Sequence, residues 1–489
     1  GGMTIRSGST SGGYISFAKG TSGNQAYRGL IAYQHNGDYM TFNTDSGERL
    51  RITGAGITVT GEVAASQDYP ITRPTLNFNF TSQKKLDPRI TYQRTGPASY
   101  YDEFGKVVLV GDNAPRFDHD PTTRECKGLL CEESRTNIQP YSQDLSNWTV
   151  ESGGSVTANT HISPAGDQTA DSLNGTQAGS SAYRTFSLTS GTAYTFTVFL
   201  KYVSGNTNIQ IQIGDAPFTR SYTTFNTSTG ALVSSSGGTQ TVNDVVAFPN
   251  GWYRVSITRT PTSTAAGFMD INHTSSTAST VAVWGAQIET GSFATSYIPT
   301  TDATNVTRGE DVVRIMDDDF TDIFGTEFEN FSVVADFDNS NSADAINASI
   351  IEWWGETTGY TDRIQIFKDN SSPYHIETRA ISNNAGIFNN QALTASSKAA
   401  TQRFATSWTV DYDYATSGNA GRRWAFSFSG EDVDVVGDNA STTVPPLTRL
   451  GLGNTPTRLD LSPGKLHFKR FTFYPKAVSD QQLINLSTP

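Results

Sequence analysis

The sequence predicts an all-β protein with several domains. Short runs of aromatic and β-branched residues recur between Gly, Asn and Asp turn signals, which is the pattern of strands in sandwiches or prisms. Charged residues make up only 17% of the chain and glycine occurs 44 times, so few stretches favour long helices. At 489 residues the chain exceeds one ordinary domain, and about three or four domains are expected.

Composition and charge exclude two classes of partner. The formal net charge is −12 and no long run of Lys or Arg occurs, so the sequence predicts no nucleic-acid partner. No apolar run approaches the roughly twenty residues that cross a bilayer, so no membrane insertion is expected.

The chain has two cysteines, Cys126 and Cys131. Their short spacing has no second pair to complete a zinc site. We expect free thiols, with a local disulfide as the alternative. Cys131 lies in an apolar, strand-like segment, which favours a buried packing role.

Residues 1–65 contain many short strand-like pieces, too small to bury a core in one copy. Sharing a core among several chains would solve this problem. Residues 38–44 (Asp-Tyr-Met-Thr-Phe-Asn-Thr), 46–53 (Ser-Gly-Glu-Arg-Leu-Arg-Ile-Thr) and 56–61 resemble the shaft segment of phage tail fibres. The resemblance implies a short trimeric β shaft, hence a parallel homotrimer that joins other phage tail proteins at its N-terminal end. An ordinary small β domain is the alternative.

Residues 66–138 are predicted to be a connecting segment. Leu76, Phe78 and Phe80 alternate at period two, which predicts a strand with one apolar face. Residues 86–94, 98–105, 114–121 and 128–137 look like the linker region of phage tail and minor structural proteins that carry lectin-like β-sandwiches. The first strand is expected to pair into the C-terminal sandwich, and residues 139–300 would then be an insertion.

Residues 139–300 resemble a jelly-roll carbohydrate-binding module. Residues 141–148 open this domain, and residues 251–258, 281–289 and 293–300 carry the resemblance. Jelly rolls close two sheets over a shared core, which fits the regular spacing of strands and turns.

Residues 301–489 are predicted to form the last sandwich. Residues 464–475 followed by 478–483 look like the closing strand and short helix of concanavalin A-like (laminin-G-like) sandwiches. Period two places Leu466 and Phe468 inward, with Phe471 and Phe473 following after a small register change.

The sequence predicts no enzyme and no catalytic residues. Glycan hydrolysis needs two carboxylates that face each other across the scissile bond. The nearest approach, Glu431-Asp432-Val433-Asp434, lacks a second Glu, and the acidic run 317–319 is typical of a solvated segment. The six histidines form no pair at zinc-ligand spacing. A glycan-degrading depolymerase fibre remains the enzymatic alternative.

Sugar recognition relies on aromatic faces, with amides and carboxylates that bond the hydroxyl groups. The candidate ligand-binding residues are Trp354 and Tyr360, with Glu356 and Asp362 nearby. Because adjacent strand residues point to opposite faces, one of Trp353 and Trp354 should leave the core. Packing on a neighbouring subunit or loop is the alternative for each residue.

No cofactor is expected. Calcium is conceivable because both lectin-like folds often hold it, but no loop has Asp spacing that names its ligands. Together these expectations describe a virion tail fibre that binds a bacterial surface receptor, in particular a glycan. A purely structural tail or baseplate component is the third function class.

Overall fold

The computed structural model describes residues 4–23, 25, 28–45, 47–54, 56–59, 73–215, 219–236, 240–325, 330–338, 348–355, 362–368, 376–382, 385–392, 401–411, 421–438, 447–453 and 465–488. The chain divides into two compact units, Gly1–Tyr69 and Pro70–Pro489. The secondary structure is nearly all strand in antiparallel sheets, so the predicted all-β class is confirmed.

The first unit is one five-stranded antiparallel meander in the order β1-β2-β3-β4-β5. Its strands are β1 (Gly12–Phe17), β2 (Gly29–Gln34), β3 (Tyr39–Thr44), β4 (Gly47–Thr53) and β5 (Gly56–Val59). Between β2 and β3 the chain turns through Gly37 and Asp38, whose φ angles are +105° and +47°. Such left-handed conformations suit Gly and Asp best, which explains the Gly- and Asp-rich turns of this segment.

This single sheet has one largely apolar face. The registers align Ile15, Ile31, Phe42 and Leu50 in one row across β1–β4. The next row on the same face aligns Tyr33, Met40, Ile52 and Ile57, and Phe17 lies beyond Ile15. We call these nine side chains the shaft face. Among the described residues of this unit only Ala32 and Thr41 are buried, and both belong to the opposite face.

The second unit begins with short elements that connect and complete its sandwiches. They are β6 (Leu76–Asn79), α1 (Phe80–Gln83), β7 (Thr91–Gln93), β8 (Ala98–Tyr101), β9 (Val107–Val110), β10 (Phe117–His119), β11 (Cys126–Glu132) and β12 (Arg135–Asn137). Strands β8 and β9 form a hairpin.

The next sandwich consists of two six-stranded sheets, β13-β16-β23-β18-β19-β20 and β14-β15-β24-β17-β22-β21. Its strands are β13 (Thr149–Glu151), β14 (Ser155–His161), β15 (Ala170–Gly175), β16 (Ser181–Leu188), β17 (Tyr194–Ser204), β18 (Asn208–Asp215), β19 (Thr219–Asn226), β20 (Leu232–Ser236), β21 (Gln240–Ala247), β22 (Trp252–Arg259), β23 (Ala265–His273) and β24 (Ser279–Thr290). Two 3-10 turns occur at Leu145–Asn147 and Pro249–Gly251. Phe196, Ile211 and Ile271 are fully buried in the core of this jelly-roll-like sandwich.

The last part of the chain contains most of the larger sandwich. Its elements are β25 (Val306–Arg308), β26 (Val312–Met316), α2 (Asp317–Phe324), β27 (Asn330–Asp338), β28 (Ala348–Trp354), β29 (Arg363–Lys368), β30 (Ile376–Ser382), β31 (Ala385–Ala392), β32 (Thr401–Asp411), β33 (Gly421–Phe428), β34 (Asp434–Asp438), β35 (Arg449–Leu452), β36 (Lys465–Tyr474) and α3 (Asp480–Ser487).

The larger sandwich has an eight-stranded and a seven-stranded sheet. The former has the order β10-β11-β36-β27-β32-β33-β34, with β6 also paired to β36, and the latter has the order β31-β30-β29-β28-β35-β26-β7. Residues 73–132 thus supply β6, β10 and β11 to one sheet and β7 to the other. The pairing expected for Leu76 is present, because Leu76 lies opposite Phe473. The smaller sandwich is therefore inserted into the larger one.

Strand β36 closes the larger sandwich as its alternation predicts. Leu466, Phe468, Phe471 and Phe473 all lie in one core. A register shift opposite Asp336 and Phe337 lets the pattern change phase between Phe468 and Phe471. Helix α3 follows, and the side chain of its N-cap residue Ser479 accepts a hydrogen bond from the Gln482 backbone in a capping box.

The two cysteines are free thiols, as expected. Cys131 is fully buried in the core of the larger sandwich, and burial raises the pKa of its thiol well above the usual value. Cys126 is half-buried at the start of β11.

A buried ion cluster joins the insertion to the larger sandwich. Strands β12 and β25, where the chain enters and leaves the insertion, pair with each other. Beside them, Glu132 Oε2 accepts hydrogen bonds from Arg116 Nη1 at 2.7 Å and Arg308 Nη1 at 2.8 Å. Asp311 pairs with Arg116 and, at 3.4 Å, with Arg94. Every one of these five side chains is fully buried.

Electrostatics holds this cluster in its charged form. Burial alone would raise the pKa of Glu132, but the guanidinium groups of Arg308 and Arg116 hold it well below its usual range. Ser296 adds hydrogen bonds from its backbone N–H at 2.8 Å and from its hydroxyl at 2.6 Å. The insertion and the larger sandwich are therefore fixed to each other through a paired and hydrogen-bonded carboxylate.

Candidate functional site

The seven-stranded sheet of the larger sandwich turns one face to the core and carries polar residues on the other. On β29 the side chains of Ile364 and Ile366 enter the core. Arg363, Gln365 and Phe367 alternate with them and therefore point away from the core.

Strand registers bring four arginines onto this outer face. Arg379, Gln365, Glu352, Gly451 and Arg314 are neighbours in one row across five strands. We call the side chains of Arg314, Arg363, Arg379 and Arg449 the arginine face.

A second row runs beside the first. Trp354 lies directly between Arg363 on one neighbouring strand and Arg449 on the other. The Arg314 guanidinium lies over the Trp354 ring at 5.9 Å from its centroid, and that of Arg379 lies over the Phe367 ring at 5.1 Å. Such stacking orients the planar guanidinium group.

The site has a buried floor and a half-buried rim. Glu352 and Gln365 are fully buried, whereas Arg314, Arg379 and Arg449 are half-buried. Neither amide atom of Gln365 has a hydrogen-bond partner within the part of the chain that the structure describes. A buried amide without partners is rare, because it costs about 1–3 kcal/mol, and it calls for an explanation.

The arginines crowd one another. Burial lowers the pKa of Arg314, and the nearby charge of Arg449 lowers it further against the opposing effect of Glu310. Burial also lowers the pKa of Arg363, with Glu352 opposing and Arg379 adding to the decrease. Each of the two pairs thus holds two positive charges close together in a poorly hydrated place.

The four residues selected from the sequence are only partly located. Trp354 points away from the core that contains Trp353, as the alternation predicts. Its side chain is only 4% exposed, however, and its role in ligand binding stays a prediction. The reason for this burial is its position between Arg363 and Arg449, with Arg314 over its ring.

Of the other three candidates, the structure describes only Asp362. Asp362 is buried just before β29, and its backbone carbonyl accepts a hydrogen bond from Gly355 N–H at 3.1 Å. Glu356 and Tyr360 lie outside the described residues, so their predicted role stays a prediction.

The acidic segments noted in the sequence have structural positions. Asp317, Asp318 and Asp319 form the exposed first turn of α2, where negative charge is favourable beside the helix N-terminus. Glu431 and Asp432 are exposed before β34. No group of three potential metal ligands occurs among the described residues, and no helix in that part of the chain is long and apolar enough to cross a membrane.

A cavity of about 260 Å³ lies between the insertion and the larger sandwich. Asp120, Asp244, Lys127 and Lys465 are among its lining residues, so both signs of charge meet there. Asp118 also lines it, but its carboxylate is bonded to His467 Nε2 at 2.9 Å and to the Tyr101 backbone N–H at 2.7 Å. These bonds give Asp118 a structural role.

No protein-family model and no curated protein matches the chain. Solved structures match about a third of it. The Ruminococcus gnavus IT-sialidase CBM40 bound to alpha2,3 sialyllactose has a TM-score of 0.27 and 12% identity, over 34% of this chain and 85% of that chain. A structure of botulinum neurotoxin type C, whose cell entry is dependent upon interaction with two ganglioside molecules, has a TM-score of 0.27 and 10% identity, over 37% of this chain and 40% of that one.

Sequence reasoning missed the arginine face, although a local signal was present. Residues 363–367 read Arg-Ile-Gln-Ile-Phe, an alternation whose polar members define one sheet face. Arg314 and Arg449 belong to the same face only through the strand order β29-β28-β35-β26, which no local pattern reveals.

Proposed function

We propose that the chain is a glycan-binding protein without enzymatic activity and that the arginine face, with its floor of Glu352 and Gln365, is the binding site. The observation that carries this proposal is a fully buried Gln365 amide that has no hydrogen-bond partner among the described residues and lies opposite the half-buried Arg379 on the next strand. Amides and charged side chains are the groups that orient sugar hydroxyls, and aromatic rings beneath them supply apolar contact.

The finer proposal places the chain in a phage tail fibre that adheres to a bacterial surface. Its support is the resemblance of residues 38–61 and 76–137 to tail-fibre and tail structural segments. The shaft face supports the homotrimer, because it exposes Phe17 by 59% and Ile57 by 68% in a single sheet with almost no core. Three copies that turn this face toward a common axis would bury it.

Binding can be tested on the whole chain. Deleting residues 310–489 would also remove strands that pair with β6, β7 and β11, so substitution is the better tool. Purified protein should bind host cells and immobilised surface glycans, and the glycans should keep their length during incubation. Arg379→Gln should weaken binding while Arg184→Gln, on the insertion, should not. A glycan that shortens with time would establish the depolymerase alternative, and a protein that binds only virion proteins would establish the structural one.

The trimer has its own test. Phe17→Asp and Ile57→Asp place charge on the shaft face, whereas Tyr14→Asp places it on the opposite face of the same sheet. Sedimentation should give a trimer for the wild type and for Tyr14→Asp, and smaller species for the other two. A monomeric wild type at micromolar concentration would overturn the shared shaft.

A further inference from the structure

The cavity of about 260 Å³ lies where the insertion meets the larger sandwich. The insertion lines it with Asp244 on β21 and Arg254 on β22. The larger sandwich lines it with His119 on β10 and Lys465 on β36. Lys465 lies opposite Glu132, the carboxylate at the centre of the buried ion cluster. That cluster holds the two walls together, and a cavity formed in advance costs little reorganisation when a ligand enters.

The charges on the walls of this cavity balance. Three cations and three carboxylates line it: Arg254, Lys127, Lys465, Asp118, Asp120 and Asp244. Lys127 and Asp120 pair with each other at 3.8 Å. An anion would meet the carboxylates and a cation would meet the guanidinium and ammonium groups, so the lining favours a ligand without net charge.

The positive side chains have donors that the protein leaves unused. Arg254 is buried, and its guanidinium donates only to neutral oxygens, among them the Tyr101 hydroxyl at 3.2 Å and the Thr295 carbonyl at 2.8 Å. Its Nε has no hydrogen-bond partner among the described residues. The half-buried Lys465 ammonium forms no hydrogen bond or ion pair within that part of the chain. Buried guanidinium groups are normally paired with an acid, so Arg254 calls for a further partner.

Acceptors are unused as well. His119 is buried, and its Nδ1 donates to the Tyr101 carbonyl oxygen at 3.0 Å, because a carbonyl can only accept. In the neutral ring Nε2 is then an acceptor, and it has no partner among the described residues. The Asp244 carboxylate forms no hydrogen bond or ion pair with any described residue, and Asp244 is exposed. Unused donors and unused acceptors therefore line one cavity that reaches solvent near Asp244.

We propose that this cavity is a second binding site and that it takes a neutral sugar unit, such as a terminal hexose of a glycan. A hydroxyl group donates and accepts at once, so a ring with several hydroxyls matches a lining of both kinds. Lys465 donates to hydroxyl oxygens and Asp244 accepts from a hydroxyl, while Val246 and Phe293 supply apolar surface beside them. The site is separate from the arginine face and does not depend on it.

The test measures binding of single sugars to the full chain by calorimetry. The ligands are methyl glycosides of neutral hexoses, each compared with its 6-carboxyl and 2-amino analogues. We expect a neutral hexoside to bind at least about fivefold more tightly than either charged analogue, since each added charge meets like charges on the walls. Its affinity should change by less than about twofold between about 50 and about 500 mM salt, because salt screens charged ligands and not neutral ones.

Variants assign the binding to the cavity. Lys465→Met and Asp244→Asn should each lower the affinity for the neutral hexoside at least about fivefold, because each removes a charge-assisted hydrogen bond. Neither should shift the denaturant midpoint, since neither side chain bonds a described residue. Lys476→Met and Asp432→Asn are the matched controls: both residues are exposed and neither lines the cavity, so affinity should not change.

The outcomes separate this proposal from the function proposed for the arginine face. Affinity for the hexoside should persist in Arg379→Gln. Binding that is lost in Arg379→Gln and kept in Lys465→Met and Asp244→Asn would overturn the cavity site and support the arginine face. A wild-type chain that binds glycans on cells but no single neutral hexoside would show that the cavity holds only water. A charged analogue that binds more tightly than the neutral sugar would also overturn the proposal, and this comparison needs no variant of the cavity.

Discussion

Replacing Glu132 by Gln should loosen the joint between the insertion and the larger sandwich. The substitution keeps the shape of the side chain and removes one negative charge from the buried ion cluster. Arg116 and Arg308 both lose the carboxylate that they share at 2.7 and 2.8 Å, and both are fully buried. Breaking a buried ion pair by removing one partner costs about 3–5 kcal/mol, since the remaining charge stays out of water.

Hydrogen exchange locates the effect better than a global melt, because a chain with several domains need not unfold in one step. A loss of 3 kcal/mol corresponds to a roughly hundredfold larger opening equilibrium. The amides of β12 and β25, which pair where the chain enters and leaves the insertion, should therefore exchange about a hundredfold faster. Amides in the jelly-roll core should change little.

Glu103→Gln is the matched control, because Glu103 pairs with Lys84 at the surface and is 56% exposed. It should leave exchange unchanged. A Glu132→Gln protein whose β12 and β25 amides keep wild-type protection would refute the reasoning, since the cluster would then contribute no net stability. Lowering the pH as far as 4 should not produce the faster exchange of the variant, because the pKa of Glu132 lies well below its usual range. The stability that the Glu132 carboxylate contributes is lost only as the pH falls through that lowered pKa.

Two further predictions concern stability. Burial lowers the pKa of His273, so the unfolded state binds a proton more readily than the folded state, and the urea midpoint of unfolding should decrease as the pH is lowered from 7.5 to 5.5. His273→Gln should make the urea midpoint less dependent on pH. An unchanged pH dependence in this variant would contradict the attribution to His273. Gly128 has a φ of +92°, and a Cβ atom there would lie 2.0 Å from the Phe468 carbonyl oxygen. In denaturant titration, Gly128→Ala should therefore destabilise the larger sandwich by at least about 1–3 kcal/mol. Gly179 also has a positive φ but no atom near its Cβ position, so Gly179→Ala should cost only the backbone strain.

The sequence predicted best where the signal is local. Alternation in β36 identified Leu466, Phe468, Phe471 and Phe473 as core residues, including the change of phase between the second and third. The alternation of Trp353 and Trp354 correctly assigned them to opposite sheet faces. Period-two patterns succeed here because a half-buried strand fixes the direction of every side chain.

What the sequence did not reveal depended on distant partners. The burial of Trp354 follows from Arg314, Arg363 and Arg449 on three other strands, and these become its neighbours only through the sheet order. The buried ion cluster likewise joins Arg116 and Glu132 to Arg308 and Asp311, more than 170 residues away along the chain. Charges that appear unremarkable in sequence become buried pairs when an insertion brings its two ends together.

Gln365→Leu separates a functional role of the floor from a structural one. In the folded chain the Gln365 amide is fully buried without partners among the described residues, at a cost of about 1–3 kcal/mol. Leucine has a similar volume and no polar group, so the variant should unfold at higher denaturant and bind glycan more weakly. Gln212→Leu is the matched control: Gln212 is equally buried, but its amide donates to Asp270 at 2.9 Å, so the same substitution should destabilise the chain. If Gln365→Leu is destabilised as well, the amide stabilises the fold, and its burial needs no ligand to explain it. A variant that is more stable and binds less would show that this sheet face gives up stability in order to bind.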